Sequence, residues 1–189
     1  MPKPALPAGV FRARDVATSR VALARLTRAG SLERVGRGLY VHAKANVTEH
    51  HTLVEATVRV PRGVVCLLSA LRFHGLTTQS PHEVWMAIGI KARKPVTDWP
   101  PLRIVRFSGA ALGFGVEKHL IENVTVRITS REKTVADCFK YRNKVGLDVA
   151  LEALRDYLRA RRRSVDALME AAAASRVTNV IRPYLEALA

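Results

Sequence analysis

Residues 19–41 read SRVALARLTRAGSLERVGRGLYV. Val21, Ala22, Leu26 and Ala29 recur at helical spacing over Ser19–Ala29, and Gly30 stops the run. Arg20, Arg25 and Arg28 fall away from that apolar stripe. Leu32, Val35, Leu39 and Val41 then flank a small turn, Gly36-Arg37-Gly38, which suits a hairpin whose tip must approach another backbone closely. Helix, glycine stop, strand, basic glycine turn, strand is the order of the second half of a winged helix-turn-helix. In that arrangement one helix enters the major groove and the wing touches phosphate or minor groove.

Upstream, Val10–Ala17 predicts a short strand or turn leading into the helix, with Asp15 or Ser19 as its N-cap. Residues 1–45 carry nine basic side chains against Asp15 and Glu33, a net +7, nearly half of the +15 on the 189-residue chain. Most of it is arginine, whose planar fork donates two parallel hydrogen bonds to phosphate or to a guanine edge. Arg12 and Arg14 would brace the DNA backbone ahead of the helix, Arg20, Arg25 and Arg28 would reach bases or phosphates, and Arg34 and Arg37 would sit on the wing. For each, phosphate contact is the expected role, because phosphate and sugar take half or more of protein–DNA hydrogen bonds. With 48% apolar residues the chain can bury a core, which excludes a disordered basic tail. No apolar run approaches the roughly 20 residues of a membrane span, and the Pro-rich Met1–Gly9 is no signal peptide. Two cysteines, Cys66 and Cys138, make neither a disulfide framework nor a zinc quartet, so a cytoplasmic setting is expected.

Downstream, Thr48–Val60 predicts a helix ended by Pro61-Arg62-Gly63. Val64–His74 is apolar enough for strand or helix; Ser69-Ala70-Leu71 favours helix, closed by Gly75. Val84–Ile90 and Leu102–Phe107 read as strands, and Val116–Ile121 with Val124–Thr129 as a hairpin turning at Glu122-Asn123. Thr129 and Glu132 offer a capping box for a helix running to about Lys144 and stopped by Gly146. Three more helices follow: one capped by Asp148 and running through Arg163, then Val165–Ala174 and Val177–Leu188. The chain divides near residue 45, into a basic module of residues 1–45 and a larger domain of residues 46–189.

Catalytic chemistry finds little support. There is no glycine-rich phosphate loop, no His-Glu-x-x-His and no Gly-x-Ser-x-Gly. His50 and His51 would point about 100° apart on a helix and cannot share a metal. His42, His74, His82 and His119 are expected in structural or surface roles, and no metal or cofactor is expected. Glu132 and Asp137 are the acids an alternative reading would use, as metal ligands of an enzyme acting on nucleic acid or nucleotides. Five positions apart on a helix they diverge by about 140°, and pairing of Asp137 with Lys133 or Lys140 is the plainer expectation. Cys66 and Cys138, among apolar neighbours, are expected in the core.

Several segments, in order, resemble the AbiEi-type antitoxins of type IV, abortive-infection toxin–antitoxin systems of phage defence. They are the wing LERVGRGLYV (Leu32–Val41), VVCLLSALRFHGLT (Val64–Thr77), HEVWMAI (His82–Ile88), TSREKTVADCFKYRNKVGLDVALEAL (Thr129–Leu154) and a late Tyr184-Leu185-Glu186. The resemblance implies an α+β protein: an N-terminal winged helix-turn-helix followed by a mixed antiparallel-sheet and helical antitoxin domain ending in a helical bundle. It implies a non-enzymatic repressor that binds inverted repeats in its own operator. It further implies a cognate nucleotidyltransferase-like toxin, often countered without a stable complex. Ser69, Lys133, Thr134, Asp137, Lys140, Arg142 and Lys144 are the positions that carry the antitoxin-domain pattern. Family members usually begin with a further helix; here only Met1–Gly9 precedes the matching stretch, so a winged module that is either truncated or compact is expected. A pure protein-interaction module, its C-terminal helices capping an acidic toxin, is the other alternative.

Overall fold

The computed structural model describes residues 6–97 and 99–188; the first five residues of the Pro-rich start lie outside them. The fold is α+β, and its N-terminal part is a winged helix-turn-helix. Strand β1 (Phe11–Arg12) and a single 3-10 turn (Ala13–Asp15) lead into helix α1 (Arg20–Arg28). The helix starts where Ser19 Oγ accepts from the Ala22 N–H at 3.1 Å, so Ser19 and not Asp15 is the cap. β2 (Leu32–Gly36) and β3 (Leu39–His42) form the wing, and the small antiparallel sheet runs β1-β3-β2. Gly38, at the wing tip, has a φ of 70°, which a residue with a Cβ rarely adopts.

The stripe expected on α1 is rotated. Leu23 is its fully buried residue, packed with Phe11 and Leu32, whereas Val21 is 81% exposed. Two positions on a helix are about 200° apart, so seating Leu23 on the sheet turns Val21 outward. Val21, Arg25 and Arg28 fall at i, i+4 and i+7 and share that outer face.

Helix α2 (His51–Arg59) lies beneath the wing. Because side chains alternate along a strand, Tyr40 of β3 faces α1 while Leu39 and Val41 face the other way. There they join Val10 and the α2 residues Leu53, Val54 and Ala56. The same cluster takes in one face of a second, five-stranded sheet: Val84, Met86 and Ile88, with Val126 and Ile128. That sheet runs β6-β5-β4-β8-β7, built from β4 (Val64–Val65), β5 (Val84–Gly89), β6 (Leu102–Phe107), β7 (Val116–Ile121) and β8 (Val124–Thr129). It is mixed: β4 pairs antiparallel with β5 and parallel with β8, β5 is parallel to β6, and β7 and β8 form a hairpin. Its other face, through Trp85, Ala87, Val105 and Phe107, packs on the helical layer. That layer comprises α3 (Leu67–His74), α5 (Arg131–Lys140), α7 (Leu147–Arg159), α8 (Val165–Ser175) and α9 (Thr178–Leu188).

Local details depart from expectation for identifiable reasons. Val64–His74 is both strand and helix: β4 ends at Val65, α3 starts at Leu67, and Gly75 closes it in the left-handed region. A short helix, α4 (Gly109–Gly113), is unexpected from its glycines. The cap of α5 is Ser130, whose Oγ accepts from Lys133 N–H at 3.2 Å; its third helical residue is thus Lys133, so no reciprocal glutamate closes a capping box. Thr129 is instead buried against Thr134, hydroxyl to hydroxyl at 2.7 Å. The helix breaks at Tyr141, leaving a short α6 (Arg142–Val145), and α7 ends at Arg159, before the arginine run.

The β7–β8 turn places both Glu122 (φ 49°) and Asn123 (φ 62°) in the left-handed region, as a type I′ hairpin requires. Glutamate is an uncommon choice there, and its side chain explains the position. Its Oε1 accepts from Thr48 N–H at 2.7 Å and from Thr48 Oγ1 at 2.9 Å, and its Oε2 meets His51 Nδ1 at 2.6 Å. Burial would raise this carboxyl, but the bonds from Thr48 and His51 outweigh it and hold Glu122 below the usual range. The segment that joins wing to α2 is thereby latched to the hairpin tip.

Candidate nucleic-acid interface

The residues ahead of α1 and the wing converge on one concavity. Ala13 N–H donates to Gly38 O at 2.9 Å, and Phe11 stacks on Tyr40 with centroids 6.1 Å apart, which pins the start of the module to the wing tip. Between them opens a groove of about 590 Å³ lined by Arg12, Arg14, Arg20, Arg34, Arg37 and Arg59, with Tyr40 and Val96. Five of the seven sequence-predicted DNA-contacting arginines are thus brought together. Arg25 and Arg28 are not in the groove; they are exposed on the outer face of α1 beside Val21. Among the described residues the five groove arginines of the N-terminal part form ion pairs only with Asp15, from Arg12 at 2.5 Å and from Arg14 at 3.9 Å. Cations crowded without matching acids leave a positive field that a polyanion can satisfy.

Arg59 escapes recognition in the sequence, because it sits at the end of α2, 22 residues beyond Arg37, where a basic residue ordinarily reads as a helix-end solvating charge. Its Nη1 donates to Arg37 O at 2.6 Å and its Nε to Trp99 O at 3.3 Å. It therefore supports the wing tip from below and joins it to the connection between β5 and β6. Trp99 is fixed in turn by its indole N–H, which donates to the buried Glu55 at 3.0 Å.

Residues 8–42 match the AbiEi antitoxin family. The family is described as a transcriptional regulator, and the matched segment spans β1, α1 and the wing, the elements that form this groove apart from Arg59 and Val96. No curated protein matches the chain. Its fold is similar to the crystal structure of RV2827C protein from Mycobacterium tuberculosis, with a TM-score of 0.57 and 12% identity over 94% of this chain and 76% of that one. At that identity the likeness concerns the fold.

Beyond the matched segment, the residues expected to carry the antitoxin pattern separate into two groups. Ser69, Lys133, Thr134 and Asp137 are buried. Ser69 Oγ accepts from Trp85 N–H at 2.9 Å, joining α3 to β5. Lys133 and Asp137 form a buried ion pair one turn apart on α5, as the plainer expectation had it; Ser175 Oγ donates to the same carboxylate at 2.7 Å, and Lys133 Nζ lies 4.7 Å from the centre of the Phe107 ring. Burial pushes Asp137 above the ordinary carboxylate range, with Lys133 and Ser175 opposing it. Lys140 and Lys144 are exposed and Arg142 is half-buried; Arg142 Nη1 donates to Phe139 O at 2.9 Å and Lys144 Nζ lies 5.6 Å from the Tyr141 ring centre. Glu132 faces elsewhere, 3.1 Å from the Tyr157 hydroxyl, so it does not converge with Asp137.

His51, His74 and His119 have ordinary partners. His74 Nε2 is 2.7 Å from Thr129 O, and burial lowers its pKa; His51 meets Glu122 and His119 meets Glu117 at 3.0 Å. Among the described residues no group of three or more His, Cys, Asp and Glu side chains could hold a metal ion. Cys66 and Cys138 are both fully buried, and burial pushes both thiols up. No helix among the described residues is long and apolar enough to cross a membrane.

Proposed function

We propose that the chain binds duplex DNA in its own operator and represses transcription from it. The observation that carries this reading is the arginine groove between β1 and the wing, beside an α1 whose outer face offers Val21, Arg25 and Arg28. In that arrangement the outer face of α1 enters the major groove, and the guanidinium groups lining the concavity hold the flanking phosphates. Val21 suits contact with a thymine methyl, and Arg25 and Arg28 suit guanine edges or phosphate. The match to a regulator family over residues 8–42 supports the same reading. From the wider resemblance we propose the rest: the operator holds inverted repeats, and residues 46–189 form the antitoxin domain, which counters a nucleotidyltransferase-like toxin, often without a stable complex.

Binding to a duplex taken from the region upstream of the coding sequence tests the first part. Arg25→Ala/Arg37→Ala should weaken binding and reduce the slope of log affinity against log salt by about 0.9 for each phosphate no longer neutralised. If the double variant shifts that duplex as well as the parent does, at every salt concentration, the assignment of this surface is wrong. Co-expression with the neighbouring open reading frame tests the second part: rescue of growth from a toxic neighbour supports it.

A further inference from the structure

The connection between β5 and β6 contributes Val96, 92% exposed, to the wall of the arginine groove, and Arg59 fixes Trp99 O and Arg37 O on one guanidinium. This connection lies outside the segment that matches a regulator family. Its first half reads Ile90-Lys91-Ala92-Arg93-Lys94. Lys91, Arg93 and Lys94 are exposed, and none of the three has an ion pair among the described residues. Consecutive Cα atoms are about 3.8 Å apart, so Lys94, two residues from Val96, is within about 8 Å of the groove wall. The segment is also shaped in advance. Arg106 Nη1 donates to Gly89 O at 3.1 Å, Ile90 O at 2.5 Å and Ala92 O at 2.8 Å, which fixes the backbone that presents the three cations. A preordered loop loses less conformational entropy when it meets a ligand.

We propose that Lys91, Arg93 and Lys94 are a second phosphate-binding flank, which carries the DNA interface past the wing tip onto the β5–β6 connection. This rests on the reading of the wing groove as a DNA site. The flank grips the backbone of the same duplex, and it adds affinity without sequence preference, since phosphate is the same at every step. It also explains why the wing tip and Trp99 are tied to one side chain: the two basic surfaces keep a fixed spacing.

Fluorescence anisotropy over a salt series, on the operator duplex and on a scrambled duplex, tests the flank. Lys91→Ala/Arg93→Ala/Lys94→Ala, at exposed positions, should keep its melting temperature and lose roughly tenfold in affinity for both duplexes, with the salt slope smaller by about 2–3. The charge reversal Lys94→Glu should weaken both duplexes more than Lys94→Ala does. An unchanged slope in the triple variant, while Arg25→Ala/Arg37→Ala loses binding, overturns the flank and leaves the wing reading standing. A loss confined to the operator duplex also overturns it, because that would be base recognition.

Discussion

The wing groove and the centre of α5 treat positive charge in opposite ways. In the groove, arginines from β1, the 3-10 turn, α1 and the wing lie together with Asp15 as their only acidic partner among the described residues. In α5, Lys133 is completely buried, yet its charge is matched by Asp137, which Ser175 also holds. A buried ion needs partners to offset lost hydration, whereas a surface meant for a polyanion is most effective when its cations stay unpaired. The contrast separates two uses of a distinctive sequence. The stretch around Lys133, Thr134 and Asp137, which the wider resemblance singles out, is largely core, while five arginines of the first quarter line the groove.

The comparison can be broken most decisively at Asp137. Asp137→Ala leaves Lys133 buried without its counter-ion and should cost about 3–5 kcal/mol in denaturant-induced unfolding. Replacing both partners, Lys133→Met with Asp137→Leu, should cost clearly less than the single change. Equal costs would show that the pair is not acting as a pair. Arg25→Ala/Arg37→Ala, by contrast, should leave stability within about 0.5 kcal/mol, because those side chains are exposed.

A smaller effect is expected from pH. The folded state lowers the pKa of His74 below its ordinary 6.5, with burial as the main cause. The unfolded chain therefore binds the proton more readily, and the stability contributed by neutral His74 is complete above about pH 6.5. It is lost as pH falls from there through the folded value. Urea unfolding at about pH 7.5 and about pH 5.5 should show the parent weaker at the lower pH, and His74→Gln should flatten that difference. A difference of the same size in the variant would assign the pH response to other groups. Smaller still, Ser19→Ala removes the cap of α1 and should cost about 0.5–2 kcal/mol, with a matching loss of thermal stability. No change at all would mean that α1 is held by Leu23 alone.

Much of this was legible in the sequence because periodicity and turn chemistry are local. Gly30, the Gly36-Arg37-Gly38 turn and the Glu122-Asn123 hairpin each announce themselves within a few residues. What was not legible depended on tertiary packing. Both Val21 and Leu23 are apolar, and only the docking of α1 on Phe11 and Leu32 decides which one is buried. Arg59 and Val96 enter the groove from other elements, and no spacing rule connects either to Arg37. Ser130 displaces Thr129 as the cap because Thr129 is drawn into a buried bond with Thr134.

The packing of α2 between the two sheets, with the Glu122 latch beside it, has a consequence for how the proposed operator would be laid out. Val10, Leu39 and Val41 share one core with Val54, Met86 and Ile128, so the wing cannot turn independently of the mass behind it. Two copies seated on facing half-sites would hold their bodies at an azimuth set by the DNA itself. Half-sites separated by whole turns of about 10–10.5 base pairs place the bodies on one side of the duplex, and about five extra base pairs rotate one of them to the opposite side.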